Sequence, residues 1–329
     1  MVASFTDGLP ENVGLFGLVM RTALRLGLPG RDLRIRPELR LVSSLIEVDG
    51  SLKPALESEL WSHTGRVGYQ FRPQIGRDLI RIDPVADFRI SRDEISYQLR
   101  DGCRFAAFQD HLLGSVMALW LERRGWPVLH AASVEVAGCS IVMLASSGMG
   151  KSTLTAELVR QGFRALSDDL IAVEEREDGF WIRPSYPTIG LRVRGSAEKE
   201  VLTLAADEFC GDPKPVSAVF VLNRRVAGQR REEPTITRLP PAEAVVAAIR
   251  YSFAPRTANA AGLAGSRLAL FARMARQVPT LRLDYDSALA GAGDVARFVA
   301  EVARRCDSQD REASLSRKNP AYIPRISVV

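Results

Sequence analysis

Four consecutive apolar residues, Ile141, Val142, Met143 and Leu144, run into the small-residue stretch Ala145-Ser146-Ser147-Gly148-Met149-Gly150 and then Lys151-Ser152-Thr153. The apolar run predicts a fully buried strand. From Ser152 the apolar positions return at helical spacing, with Leu154, Leu158 and Val159 on one face and Gly162 as the stop. Strand, glycine-bearing loop and helix in this order form the context of a Walker A phosphate loop, so they predict an α/β nucleotide-binding core. Small residues let successive backbone N–H groups converge on an anion, and the helix dipole adds positive potential. Residues 146–153 are the expected phosphate-binding set. Lys151 would reach the β- and γ-phosphates of ATP, and the Ser152 hydroxyl would reach Mg²⁺. The consensus G-x-x-x-x-G-K-[ST] has glycine where this chain has Ala145. Alanine suits that place if the backbone there is still strand-like, with negative φ.

Composition singles out the lysine. The chain has 44 lysines plus arginines, of which five are lysine and 39 arginine. A compact ammonium in so arginine-rich a chain stands where it suits a phosphate better than a planar fork. Next comes a short apolar run, Phe163 to Leu166, expected beside the 141–144 strand and ending in Ser167-Asp168-Asp169, with Asp168 placed 17 residues after Lys151. A carboxylate at a strand end near a phosphate loop is where a Mg²⁺-associated aspartate belongs. Transfer to an alcohol also needs a carboxylate to orient the hydroxyl and take its proton. Asp168 is read as the base and Asp169 as the metal-side residue, with Ser152 as the other metal-side residue. The two aspartate roles are open to exchange.

The segments LHAASVEVAG (129–138), ASSGMGKST (145–153), GFRALSDDLIAVE (162–174) and RPSYPTIGLRV (183–193) together resemble the HPr kinase/phosphorylase-like serine kinases. By its neighbours alone His130 reads as a packed or capping histidine; the resemblance implies a place near the transferred phosphate and the aspartate pair. It implies a P-loop core of the HPr-kinase/PEP-carboxykinase-like type, with a β-rich N-terminal region packed on it. It further implies ATP and Mg²⁺ as cofactors, a hydroxyl acceptor, most often a serine of a small protein or peptide, and a homo-oligomer. Compact relatives of this kind resemble kinases found with modified-peptide clusters, including those acting on lasso-peptide precursors. The segment 183–193 would lie near the active site, with Arg192 and Arg194 as candidates to neutralise transition-state charge; a surface role is the plainer reading of both. The further glycine- and asparagine-containing segment of the bifunctional enzymes is not evident, which leaves a phosphorylase reaction open.

The remaining sequence narrows the class. A net charge of +5 over 329 residues, with no block of five or more like charges, gives no support for nucleic-acid binding. Four cysteines (103, 139, 210, 306) are widely spaced without C-x-x-C, and there are three histidines. These argue against structural zinc and disulfides and for a reducing cytoplasm. The N-terminus lacks a signal-peptide build, and the apolar stretch around His111–Leu121 is too short to span a bilayer, so no membrane role is expected.

Three regions are expected: a β-rich N-terminal region (1–104) that recognises the acceptor or completes the sheet, a kinase core (105–306), and a mobile tail (307–329) whose Arg325–Val328 could pair at a sheet edge. Within the first, Val13–Leu28 and Pro54–Ser62 read as helices. Leu33–Val48 and Gly68–Arg81 read as strand-rich, and 88–99 as a hairpin with one wet face. Phe108, Leu112, Val116 and Trp120 recur at i+4, predicting a helix over 107–124. Strands are predicted at 170–174, 180–183, 218–222 and 281–283, and helices at 242–250, 263–276 and 294–305. Basic residues between Arg250 and Arg267 are candidates to touch nucleotide or acceptor. Two other function classes use the same loop: a small-molecule kinase, and a nucleotide-binding regulator without catalysis.

Overall fold

Alternation of core-facing and outward-facing side chains dominates the N-terminal third of the computed structural model, which describes residues 8–49, 51–62, 65–192, 199–225, 233–286 and 292–315. Nine strands form there: β1 (Glu11–Leu15), β2 (Leu18–Thr22), β3 (Gly30–Arg31), β4 (Leu39–Ser43), β5 (Leu56–Ser62), β6 (Gly65–Arg72), β7 (Asp78–Asp83), β8 (Ala86–Ile90) and β9 (Glu94–Leu99). They make one sheet in the order β3-β1-β2-β4-β9-β8-β7-β6-β5. Two helices expected from sequence are strands instead. Val13–Leu28 contains the β1–β2 hairpin, turned at Phe16 and Gly17 with φ of 54° and 64°. Its near-continuous burial erases the period that separates strand from helix. Residues 56–62 pair with β6 along their whole length, and this pairing overrides the helical propensity of the Ala-Leu-Glu-Ser-Glu-Leu stretch. The 88–99 hairpin forms; Arg89, Glu94 and Gln98 stay half-exposed on its outer side, while Asp87 and Ser96 on that side are buried.

The predicted helix over 107–124 is α1 (Phe105–His111), a π-helical turn (Leu112–Val116) and α2 (Met117–Arg123). Its stripe packs into the core of the first sheet. Phe108 lies 5.5 Å from the Phe88 ring and 4.9 Å from that of Tyr97.

The rest of the chain builds a second, mixed sheet. Its elements are β10 (Val128–Leu129), β11 (Ala131–Val136), β12 (Cys139–Leu144), α3 (Lys151–Arg160), β13 (Arg164–Ser167), β14 (Ile171–Arg176) and β15 (Gly179–Arg183). There follow β16 (Thr188–Arg192), β17 (Lys199–Thr203), β18 (Lys214–Arg225), β19 (Thr235–Arg238), α4 (Pro241–Arg250), α5 (Pro255–Ala260), α6 (Ala264–Gln277), β20 (Thr280–Asp286) and α7 (Ala292–Leu315). The order is β10-β14-β15-β18-β12-β11-β13, with β20 on β18 and β19 on β20; β16 and β17 form a separate pair. β12, β18 and β20 run parallel. Helices cover both faces of these strands. Ile141 and Met143 share a core with Leu154 and Leu158 of α3 and Val295 and Val299 of α7. Val142 and Leu144 meet Ala247 of α4 and Phe271 and Met274 of α6. A strand covered on both faces needs apolar side chains at every position, which explains the unbroken Ile-Val-Met-Leu run.

Two further expectations shift. The strand ending at the aspartate pair does not lie beside β12, because β11 pairs with both and separates them. The last helix runs to Leu315, into the segment read as a tail; Arg325–Val328 lie outside the described residues. Among the described residues, no helix is long and apolar enough to cross a membrane.

Candidate active site

Strand register decides which ends meet. Ala131 lies opposite Leu144, and Ser133 opposite Ser167. Leu144 pairs with Val221, and Arg224 with Tyr285. The start of β11 and the ends of β12, β13, β18 and β20 therefore share one end of the sheet. His130, the 145–150 loop and Asp168-Asp169 all leave the sheet there.

The loop has the geometry that its sequence demands. Ala145 is fully buried, and left-handed backbone at non-glycine residues is confined, among those described, to Phe16, Ala137 and Ala254. The alanine thus occupies its place without strain. Gly148 and Gly150 adopt φ of 81° and 99°, and Gly150 caps the start of α3. Met149 N–H donates to the Ser146 carbonyl at 3.2 Å, closing the turn. Ser146, Ser147 and Gly148 are exposed, Met149, Gly150 and Ser152 half-buried, and Thr153 exposed. Lys151 is only 7% exposed, and its ammonium donates to the Ala145 carbonyl at 2.7 Å, across the base of the loop.

A residue that the sequence did not mark holds this loop from behind. The Tyr285 hydroxyl, carried by β20, donates to the Met149 carbonyl at 2.5 Å. A Cβ added at Gly150 would lie 2.8 Å from that hydroxyl, so the close approach requires glycine. Burial raises the Tyr285 pKa against the opposing pull of Arg224, which keeps the phenol protonated as a donor. Its only sequence signal is a polar-tipped aromatic ending a buried strand.

The aspartates divide by exposure. Asp168 is 5% exposed, and its Oδ2 accepts the Gly190 N–H at 2.9 Å. The Asp169 side chain is 50% exposed, with Oδ1 3.2 Å from His130 Nδ1. His130 is anchored through its backbone N–H, which donates to the Tyr251 carbonyl at 2.8 Å. Behind the pair, Ser185 Oγ meets Ser167 Oγ at 2.9 Å and Ser167 Oγ donates to the Leu170 carbonyl at 2.7 Å. Tyr186 reports what surrounds it: its phenol pKa is raised first by burial and then by the carboxylates of Asp169, Asp110 and Asp168. Asp110, from α1, is thus a third carboxylate near this end of the sheet. It lies on the polar side of a helix read only for its apolar stripe.

Two arginines from the segments expected near the site, Arg183 and Arg267, are engaged elsewhere. Arg183 stacks on Trp126 at 3.9 Å and donates to the Phe16 carbonyl at 3.0 Å and to Glu174 at 3.1 Å. Arg267 is buried in an ion pair with Glu122. The side chain of Arg192 and the whole of Arg194 lie outside the described residues.

The donor set fits a Mg²⁺-bound triphosphate. Two left-handed glycines at a helix start expose backbone at the loop, and the adjoining ammonium suits phosphate. Among the described residues no three His, Cys, Asp or Glu side chains form a ready-made metal cage. A nucleotide-borne Mg²⁺ needs none, because it keeps waters and phosphates and takes one or two protein oxygens.

No protein-family model matches the chain. Individual proteins do. The HPr kinase/phosphorylase of Listeria welshimeri is 36% identical over 108 residues, 31% of this chain and 34% of that protein. The HPr kinase/phosphorylase of Clostridium beijerinckii is 35% identical over 77 residues, covering 23% and 26% of the two chains. Over the shared segment, this chain is similar to proteins named HPr kinase/phosphorylase. The Clostridium tetani protein of the same name is 32% identical over 97 residues, 29% of this chain and 32% of its own. The chain spans about a third of the length of the Listeria relative it matches. The solved Hpr(Ser) kinase/phosphatase of Coxiella burnetii aligns with a TM-score of 0.34 at 10% identity, over 56% of this chain and 98% of that one, too loosely to carry an argument.

Proposed function

We propose that the chain is an ATP- and Mg²⁺-dependent kinase that transfers the γ-phosphate to a hydroxyl, that of a serine of a small protein or peptide. One observation carries this reading: the strand register delivers the Lys151 loop, His130 and the Asp168-Asp169 pair to the same end of one sheet. In this reading residues 146–153 bind the ATP phosphates, and Lys151 balances charge that develops on them. Asp168 takes the proton of the acceptor hydroxyl as its oxygen attacks the γ-phosphorus; the bond to the β-phosphate oxygen breaks and ADP leaves. The Gly190 N–H fixes that carboxylate's orientation. Asp169 and Ser152 stand on the metal side, where Mg²⁺ would neutralise phosphate charge. His130 orients Asp169 and stabilises charge beside the acceptor.

The acceptor class rests on the HPr kinase/phosphorylase names of the relatives, and a ribosomal peptide such as a lasso-peptide precursor is the narrower candidate. The first sheet is the proposed acceptor-recognition region, and a cytoplasmic homo-oligomer is the proposed form. The test is γ-phosphate transfer from Mg²⁺-ATP to serine peptides and small alcohols, with Lys151→Ala and Asp168→Asn in parallel. Transfer to a peptide that both substitutions abolish supports the reading. Transfer that survives Asp168→Asn at the wild-type rate removes Asp168 as the base, and transfer to alcohols alone makes the protein a small-molecule kinase.

A further inference from the structure

The first sheet has a charged outer face that the phosphotransfer reading does not use. Along β4, β8 and β9, Leu39, Leu41, Phe88, Ile90, Ile95 and Tyr97 face the helix-covered core. Arg40, Arg89 and Glu94 alternate to the opposite side. There a cleft of about 510 Å³ is lined by four arginines, Arg40, Arg77, Arg89 and Arg92, and by two acidic residues, Asp93 and Glu94.

Charge in this cleft is unbalanced. Arg40 is engaged by Glu94 at 2.9 Å. Among the described residues, Arg77, Arg89 and Arg92 make no side-chain ion pair. Neighbours on the same sheet behave differently: Arg81 pairs with Asp87 at 2.8 Å, and Arg123 of α2 pairs with Asp78 at 2.6 Å. A fifth guanidinium stands close by, since Arg124 donates to the Arg92 carbonyl at 3.2 Å. Its pKa is lowered first by burial and then by the charge of Arg92. Arginines gathered around one cleft supply planar guanidinium groups, which suit bidentate contact with phosphate oxygens. A cleft of this size holds a small molecule and not a folded partner.

We infer that this cleft binds a small phosphate-bearing anion, at a site distinct from the 145–152 loop. The ligand oxygens would be held by Arg77, Arg89 and Arg92, with Arg40 kept in place by Glu94. The inference stands independently of the kinase reading, because none of these residues belongs to the loop or the aspartate pair.

Calorimetric titration of the full chain with inorganic pyrophosphate tests it, using wild type, Lys151→Ala, and the triple variant that adds Arg89→Gln and Arg92→Gln to Lys151→Ala. Binding should persist in Lys151→Ala. With Arg89→Gln and Arg92→Gln added to Lys151→Ala, so that the loop does not contribute, the affinity should fall by about tenfold or more, as expected for losing two charge-assisted contacts. Arg92 is exposed and Arg89 half-exposed, so the triple variant should keep the thermal midpoint of Lys151→Ala, which is measured alongside. Absence of pyrophosphate binding in wild type, its complete loss in Lys151→Ala, or equal affinity in Lys151→Ala and the triple variant would each overturn the inference.

Discussion

Replacing Gly150 with alanine tests the loop geometry without touching any group proposed to bind phosphate through its side chain. Two costs can be worked from the structure. At φ of 99° an L-residue is strained, by roughly 1–2 kcal/mol for left-handed backbone. The new Cβ would also lie 2.8 Å from the Tyr285 hydroxyl, which is buried and bonded to the Met149 carbonyl at 2.5 Å. Moving the phenol away forfeits that hydrogen bond, worth about 1 kcal/mol. Gly150→Ala should therefore destabilise the protein by about 2–3 kcal/mol in urea unfolding. Tyr285→Phe removes the clashing oxygen and forfeits the same hydrogen bond, so on that background Gly150→Ala should add only the backbone cost. The cycle should show a coupling of about 1 kcal/mol, the size expected of residues in contact. Wild-type stability in Gly150→Ala would mean that position 150 is not left-handed. Strict additivity would mean that the Tyr285 hydroxyl does not face it.

Other perturbations follow from specific contacts. Arg267→Ala strands the buried Glu122 carboxylate, whose remaining named donor is the Val128 N–H at 2.9 Å, and should cost about 3–5 kcal/mol in urea unfolding. Glu135 joins β11 to Arg164 at 2.5 Å and Lys214 at 3.0 Å. Burial raises its pKa, but Lys214 and Arg164 outweigh burial and hold it below the ordinary 4.5. The unfolded state then takes up the proton first, so this stabilisation is complete above that ordinary value and is lost as pH falls through the folded pKa. The thermal-midpoint gap between wild type and Glu135→Gln should shrink between roughly pH 5 and pH 3; a gap independent of pH would contradict the pairing. Asp169→Asn should raise the Mg²⁺ concentration needed for half-maximal transfer by about tenfold, in line with loss of one charged ligand-side group, while ATP binding persists. An unchanged Mg²⁺ requirement would move Asp169 off the metal side.

Local chemistry made the half of the molecule that carries the 145–152 loop readable. Lys151, Gly148 and Gly150 carry their roles in residue type and spacing, and Ala145 sits unstrained where the consensus has glycine because its φ lies outside the left-handed region. The double helical cover of β12 is written in its unbroken apolar run. What resisted reading was long-range. Tyr285 reaches the loop only because β20 pairs with β18, more than a hundred residues from the loop in sequence. The Asp110 carboxylate, which helps raise the Tyr186 pKa, comes from a helix whose apolar side packs on the other sheet. β11 displaced β13 from β12 because two short strands flanking a phosphate loop leave pairing order undetermined by their own sequence. In the N-terminal third, burial on both sides of the β1–β2 hairpin removed the two-residue period, and helix-forming residues in β5 yielded to pairing with β6.

If the 145–152 loop binds nucleotide, calorimetric titration of the full chain with Mg²⁺-ATP reads that binding without needing the acceptor. Lys151→Ala and Asp168→Asn are titrated alongside wild type. The account predicts saturable binding in wild type, retained binding in Asp168→Asn, and an affinity lower by about a hundredfold in Lys151→Ala, as loss of a charge-assisted contact to phosphate implies. No binding in wild type, or equal affinity in Lys151→Ala, would contradict it.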